Sequence, residues 1–193
     1  EVGWALVAAG ARHSLGLRED GSLWTWGDNN QGQLGTGTRI NLPAPTRVGS
    51  GSDWVRLASG REFSLALQAD GSLWAWGDNS LGQLGDGTNT DQLIPQRIGT
   101  DTNWSFIAAG SYHAVALKQD GTLWAWGENG AGQLGDGSTT DRRTPVLVGA
   151  ERDWAAAAAG ADFTVALKAD GTLWAWGSNH NGQLGLGAIN SVE

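Results

Sequence analysis

Apolar and polar positions along the chain recur with a step of 50 residues, and each 50-residue unit carries the same run of short extended elements. In the third unit, Trp104-Ser-Phe-Ile-Ala-Ala-Gly110 is a brief apolar run ending on Gly, the pattern of a strand buried on both faces. Its small pair Ala108-Ala109 recurs as Ala8-Ala9, Ala58-Ser59 and Ala158-Ala159, which predicts a crowded place such as a central axis where strands converge. His113-Ala-Val-Ala-Leu117 alternates large and small side chains with period two and predicts a second strand. Asp120-Gly121 then signals a two-residue hairpin turn whose central residues both tolerate positive φ. A third strand, Thr122 to Trp126, puts Trp124 and Trp126 on one face and Leu123 and Ala125 on the other. A long connection rich in Gly, Asn, Asp and Thr runs from Gly127 to Thr144. Pro145-Val-Leu-Val-Gly149 closes the unit as a short edge strand, opening on Pro because no ladder donor is needed there. Nothing shows helical periodicity over more than a turn.

The step is kept by Asp20, Asp70, Asp120 and Asp170, and by Trp4, Trp54, Trp104 and Trp154. The units are 1–50, 51–100, 101–150 and 151–193, and the last stops before the strand that 45–49, 95–99 and 145–149 supply. A four-stranded antiparallel meander repeated at this period predicts an all-β chain, a β-propeller of four blades forming a partial ring or half of an oligomeric one. Such units bury their apolar faces only against neighbours, so 1–193 reads as a single domain. A stacked β-solenoid is the rival, but its coils are shorter and its turns less hairpin-like.

Composition narrows the partners. The net charge of −8 argues against a nucleic-acid backbone, which requires clustered Lys and Arg. With no Cys there is no disulfide framework, and no apolar run is long enough for a membrane span. There is neither an initiator Met nor a charged-then-apolar leader, so the chain is expected to be a mature or excised piece of something longer. An extracellular or cell-surface bacterial setting is expected ahead of a cytoplasmic one.

The pattern Ala-Ala-Gly-x-x-His-x-x-Ala-Leu-x-x-Asp-Gly-x-Leu-Trp-x-Trp-Gly-x-Asn-x-x-Gly-Gln-Leu-Gly-x-Gly, followed by Pro-x-x-Val-Gly, stands at 108–137 and 145–149. It closely resembles the RCC1 (regulator of chromosome condensation) repeat family, in its bacterial RCC1-like form, over almost the whole chain. The resemblance implies a propeller, usually of seven blades and commonly closed by a terminal strand, and the N-terminus offers no spare strand ahead of Trp4. Four repeats leave three possibilities: part of a larger ring, a ring completed by self-association with another copy, or a small closed ring. The first two are preferred. A small open ring would leave Trp-rich faces uncovered, each aromatic side chain carrying roughly 150–250 Å² of contact area.

The resemblance implies a non-enzymatic protein-protein interaction scaffold. Its alternatives are a guanine nucleotide exchange factor-like regulator of a small GTPase and an inhibitor of a secreted enzyme, as in a β-lactamase-inhibiting propeller. A propeller enzyme would need polar groups at the axis, where the strands are Ala-rich.

Candidate chemistry is sparse, and no cofactor is expected. His13 and His113 share their repeat position with Phe63 and Phe163, which favours packing over catalysis or metal binding. His180 lies alone in a loop. Gly32-Gln-Leu-Gly-Thr-Gly37 lacks the Lys and following helix of a phosphate loop and reads as turn chemistry. Asp86 to Asp91 and Asp136 to Asp141 are oxygen-rich but lack EF-hand spacing, and Asx-type turns are the simpler reading. The Gly-Trp-Arg-His-Thr motif of an ultraviolet-sensing plant member of the family is absent. Asn103-Trp-Ser105 is a glycosylation sequon only in a secretory eukaryotic setting.

Numbering the strands one to four in each meander, connections one-to-two and three-to-four emerge on one face. The other face carries the invariant Asp-Gly turns. The first face holds most of the variation, and loops on a rigid scaffold are where binding resides. The candidate partner-binding residues are Arg12, Arg61, Glu62, Tyr112 and Asp162 from the short connections. Arg39, Ile40, Asp91, Gln92, Leu93, Asp141, Arg142 and Arg143 come from the long ones.

Overall fold

Each 50-residue unit folds as an antiparallel meander, and the computed structural model describes residues 2–187. Blade 1 is β1 (Trp4–Ala9), β2 (His13–Arg18), β3 (Leu23–Gly27) and β4 (Leu42–Arg47). Blade 2 is β5 (Trp54–Ser59), β6 (Phe63–Gln68), β7 (Leu73–Gly77) and β8 (Gln92–Arg97). Blade 3 is β9 (Trp104–Ala109), β10 (His113–Lys118), β11 (Leu123–Gly127) and β12 (Arg142–Leu147). Blade 4 has β13 (Trp154–Ala159), β14 (Phe163–Lys168) and β15 (Leu173–Gly177). The described residues of blade 4 hold these three strands, and no helix occurs among the described residues. The first strands β1, β5, β9 and β13 neighbour one another in turn and form the inner wall of an open arc.

Period-two alternation gives every sheet one Leu face and one Trp face. Leu15, Leu17, Leu23 and Val48 of blade 1 pack on Trp54, Ala66 and Trp76 of blade 2. Leu67, Leu73, Leu84 and Ile98 pack likewise on Trp104, Ile107, Ala116 and Trp126. Leu117, Leu123, Leu134 and Val148 meet Trp154, Ala157 and Ala166, with Trp176 at the edge of the cluster. Within blade 3, Trp104 stands edge-on to Trp124 at 6.0 Å and tilted to Trp126 at 6.3 Å. Such geometries add about 0.5–1.5 kcal/mol per pair beyond area burial. The Lys118 ammonium lies 4.1 Å from the Trp124 ring centroid, covering the cluster's outer side.

One backbone carbonyl joins each pair of blades. The Gln33 carbonyl accepts the Trp76 indole N–H at 2.9 Å and the Ser64 hydroxyl at 2.8 Å, both from the next blade. The Gln133 carbonyl accepts Trp176 and Thr164 in the same way. Since Ser64 gives its only hydroxyl proton to Gln33, His13 must donate from Nε2 to Ser64 Oγ at 3.0 Å, which fixes its tautomer. His113 meets Thr164 alike at 3.0 Å. Burial drives both imidazoles down to about 4, with Asp28 opposing the shift at His13. The histidines are packing residues. Where the repeat carries Phe63 instead, the next blade offers Ala114 rather than a hydroxyl, and the two lie in one apolar cluster.

Three expectations need correction. The Asp-Gly turn is not a two-residue turn, because among the described residues none other than Gly has positive φ. Gly21 N–H donates to Arg18 C=O at 2.9 Å and Arg18 N–H to Ser22 C=O at 3.1 Å, so Gly21 alone takes the left-handed position behind a three-residue turn. Asp20 instead accepts from the Ser22 N–H and hydroxyl, and that hydroxyl accepts the Trp24 indole N–H at 2.9 Å. The fourth strand of blade 3 begins at Arg142, not Pro145. Pairing jumps from Ala125↔Val146 to Gly127↔Arg142, and Pro145 sits in the bulge, where the ladder asks for no N–H. The first strands are not buried on both faces: Ala9, Ser59, Ala109 and Ala159 border the central opening, and most of β1 is exposed.

Candidate interaction face

The expected pairing of connections on two faces is present. Asp28 N–H donates to Arg12 C=O at 2.8 Å, tying the three-to-four loop to the one-to-two loop. On the opposite face, Trp54 N–H donates to Gly21 C=O at 3.3 Å.

The one-to-two loops are short because Gly10 N–H and its repeat partners turn back onto the carbonyl of the residue three ahead, as in Gly10 to His13 at 2.9 Å. A side chain at Gly10 would run into the His13 ring and the Gly60 carbonyl of the next blade. This closeness lets backbone bonds join the loops blade to blade: Ala11 N–H to Arg61 C=O at 3.3 Å, Arg61 to Ser111 at 3.1 Å, and Ser111 to Ala161 at 3.0 Å. The linked loops form a rigid rim around a cavity of about 710 Å³ at the mouth of the arc. Arg12, Arg61 and Glu62 line it. Arg61 holds its guanidinium 5.6 Å from the centre of the Tyr112 ring, across the join between blades 2 and 3. Asp162 is exposed on blade 4.

The long connections are organised by one buried Asn each. Asn129 Oδ1 accepts the Leu134 N–H at 3.0 Å, while Nδ2 donates to Asp136 Oδ1, Ser138 and the Thr140 carbonyl. The expected site residues of these loops are engaged in the same construction. Asp91 accepts the Asn79 N–H at 3.0 Å and pairs with Arg39 of the preceding blade at 2.8 Å. Asp141 accepts the Asn129 N–H at 2.8 Å. Arg142 pairs with Asp136 at 2.7 Å, and Gln92 donates to Asp86 at 3.0 Å. Gln92, Leu93, Arg142 and Arg143 lie in outer strands rather than loops. The Leu93 and Arg143 carbonyls accept the Gly37 and Gly87 N–H groups of the preceding blade, each at 2.8 Å. Of the long-connection candidates, Ile40 is a large exposed apolar side chain.

The oxygen-rich loops are turn chemistry. Burial alone would raise Asp86, but hydrogen bonds from Thr88, Asn79 and Gln92 outweigh it and hold the carboxyl below its usual range. Asp136 is likewise held down, by Ser138 and Arg142 against burial. No cluster of three His, Asp or Glu that could hold a metal occurs among the described residues.

Glu128 was missed by sequence reasoning. Its repeat partners are Asp28, Asp78 and Ser178, and the first two accept the amides of Gln33 and Gln83 at 3.0 and 2.7 Å. Glu128, one methylene longer, buries Oε2 without a hydrogen-bond partner. Burial, then Asp162 and Asp141, raises its pKa. The only signal in the sequence is that one repeat departs from a short side chain at this position. At the mouth, Arg12 and Arg61 with Glu62 stand on blades 1 and 2, while Glu128, Asp141 and Asp162 form an acidic corner at blades 3 and 4.

Four radial meanders around a central opening, with variable loops gathered at one mouth, define an arc of a β-propeller. The RCC1-like domain model matches residues 3–193, and the chain belongs to that family. Human WBSCR16 superposes with a TM-score of 0.86 at 25% identity, over 97% of this chain and 51% of that one. Yeast RCC1 (Prp20), solved bound to Kap60, superposes with a TM-score of 0.87 at 26% identity, over 99% of this chain and 47% of that one. The ultraviolet-B receptor UVR8 of Arabidopsis thaliana is 47% identical over 45 residues, which are 23% of this chain and 10% of the receptor. The human E3 ubiquitin-protein ligase HERC2 is 45% identical over 42 residues, 22% of this chain and 1% of the ligase. The chain thus spans about half of these solved chains and a small part of these longer relatives.

Proposed function

We propose that the chain is a non-enzymatic protein-interaction scaffold that recognises a protein partner at the mouth formed by its one-to-two loops. The observation that carries this reading is the rim itself. Its backbone is tied from blade to blade, while its side chains differ in every repeat: Arg12, Arg61 with Glu62, Tyr112, and Asp162. Preorganised loops lose little entropy on binding, and mixed Arg, Tyr and acidic groups suit protein recognition. A small GTPase is a second partner class, favoured by the likeness to Prp20, which is described with binding properties to Gsp1p and histones. Self-association, the other partner expected from the sequence, belongs at the two open ends of the arc rather than at this mouth.

The test is capture from an extract of the source cells by the immobilised chain, compared with Arg12→Glu/Arg61→Glu and with Glu19→Lys on the opposite face. The double variant should lose the partner while Glu19→Lys keeps it. Equal retention by all three refutes the mouth as the binding site. Nucleotide release from a small GTPase, accelerated by the chain and not by the double variant, would select the exchange-factor reading.

A further inference from the structure

We propose that Asn129-Gly130 is a spontaneous deamidation site held in check by the folded loop of blade 3, so that time this loop spends open is recorded as irreversible loss of the Asn129 amide. The reactants are the chain itself and water. The inference does not depend on partner binding at the mouth. It rests on one departure from the repeat and on the bonds that hold the Asn129 side chain.

The buried Asn that organises each long connection is followed in turn by Asn30, Ser80, Gly130 and His180. At this place the third unit alone forms an Asn-Gly pair. Glycine has no side chain to shield its backbone nitrogen or to restrict its approach. That nitrogen is the nucleophile. It attacks Asn129 Cγ, and the new C–N bond closes a five-membered succinimide. Nδ2 leaves as ammonia, taking up the proton that the Gly130 nitrogen gives away. Water then opens the ring at either carbonyl and leaves aspartate or isoaspartate at 129. Water is consumed and ammonia released, with no change of oxidation state.

In the folded chain this attack is blocked. Asn129 is fully buried. Its Oδ1 accepts the Leu134 N–H at 3.0 Å, and Nδ2 donates to Asp136 Oδ1 at 3.1 Å, the Ser138 carbonyl at 2.9 Å and the Thr140 carbonyl at 3.2 Å. The backbone is tied as well: Asn129 N–H donates to Asp141 Oδ1 at 2.8 Å, and Gly132 N–H to Asn129 C=O at 2.9 Å. While these bonds hold, Cγ cannot swing toward the Gly130 nitrogen, so reaction waits on local opening of the loop. Once the amide is lost, the loop cannot close as before. Aspartate sets a carboxylate against Asp136 Oδ1, and isoaspartate lengthens the backbone path between the ties to Asp141 and Gly132. The fold itself does not call for glycine at 130. Its φ is not positive, and an added Cβ would meet nothing within 4 Å.

Incubation at mildly alkaline pH, in buffer and in guanidinium chloride, followed by peptide mass mapping, tests this. In denaturant the peptide holding Asn129 should show the amide-to-acid mass shift well before those holding Asn29 and Asn79. In buffer the shift at Asn129 should be slower by roughly a hundredfold or more, because only the small open population reacts. Gly130→Ser, which copies Ser80 of blade 2, should fold as the parent does and lose the fast reaction in denaturant. After dilution from denaturant, the refolded fraction, read by Trp fluorescence, should fall in step with deamidation at Asn129 in the parent and stay high in Gly130→Ser. Asn181-Gly182, the chain's other Asn-Gly pair, is present in both proteins and serves as the common background. Equal rates at Asn129 in buffer and in denaturant overturn the proposal. So does a Gly130→Ser chain that deamidates as fast as the parent, or a deamidated parent that refolds in full. None of these results bears on capture of a partner at the mouth, so the two proposals fail separately.

Discussion

Replacing the buried Asn of each long connection by Asp tests whether these loops are held as described. In blade 3, Asn129→Ala removes the acceptor of the buried Leu134 N–H and the donors to Asp136, Ser138 and Thr140. A buried N–H left without a partner costs about 1–3 kcal/mol, and the lost donors bring the total to roughly 3 kcal/mol. Asn129→Asp keeps the Leu134 bond but points a carboxylate at Asp136 Oδ1, 3.1 Å from the present Nδ2. Two like charges at that range cost about 5 kcal/mol at an effective dielectric of 20. The isosteric Asp variant should therefore be less stable than the Ala variant at neutral pH. The carboxyl pair takes up a proton more readily folded than unfolded, so its pKa is raised in the folded state. The penalty is accordingly full above that raised pKa and fades as pH falls toward the unfolded value.

Blade 1 supplies an internal control, because Asn29 faces Thr36 and Asn41 where Asn129 faces Asp136 and Asp141. Asn29→Asp should cost clearly less than Asn129→Asp. Urea midpoints followed by Trp fluorescence give the ranking. Amide exchange at Leu134 shows whether its hydrogen bond is kept in the Asp variant and lost in the Ala variant. An Asp variant as stable as the Ala variant at neutral pH, or equal penalties in blades 1 and 3, would refute the reasoning.

Acid should destabilise the chain through its buried histidines. Their folded pKa values, lowered from 6.5 to about 4, mean that between those limits the unfolded chain holds protons that the folded chain does not. Stability therefore falls as pH drops through that window, by on the order of 3 kcal/mol per histidine. His113→Phe, which copies Phe63 and Phe163, should flatten the dependence, as measured by urea midpoints at stepped pH. Glycine positions should separate by their surroundings. Gly99→Ala keeps a left-handed conformation in open space and should cost about 1 kcal/mol. Gly121→Ala adds a clash with the Arg152 carbonyl and should lower the melting temperature much further.

The propeller was legible because the repeat prints the same alternation four times. Trp124 and Trp126 share the expected face, and His113 and Phe163 hold the same place in their strands, each opposite the Gly that ends the third strand. The turn at Asp120-Gly121 was misread because the dipeptide signals positive φ without saying at how many residues, and Thr122 draws Asp120 into a side-chain bond instead. Arg142 looked like a loop residue because Pro145 marks a strand start in most contexts. The bulge that accommodates it is set by pairing with β11, a contact no local pattern encodes. On the candidate face, failure to repeat singles out Arg12, Arg61 and Glu62, which line the central opening. That Asp91, Asp141 and Arg142 serve their own loops could not be read in this way, since their partners lie six to twelve residues away or in the neighbouring blade.

The Gln33, Gln83 and Gln133 carbonyls, each of which accepts an indole N–H from the next blade, bear on how such a chain changes over generations. Each join asks only for residues at fixed places in the two units that meet, so duplicating or excising one whole unit leaves every surviving join with the partners it had. No single join records how many units the chain should contain. That tally is stored in the small rotation between neighbouring sheets, which makes copy number easier to alter than any one of the contacts.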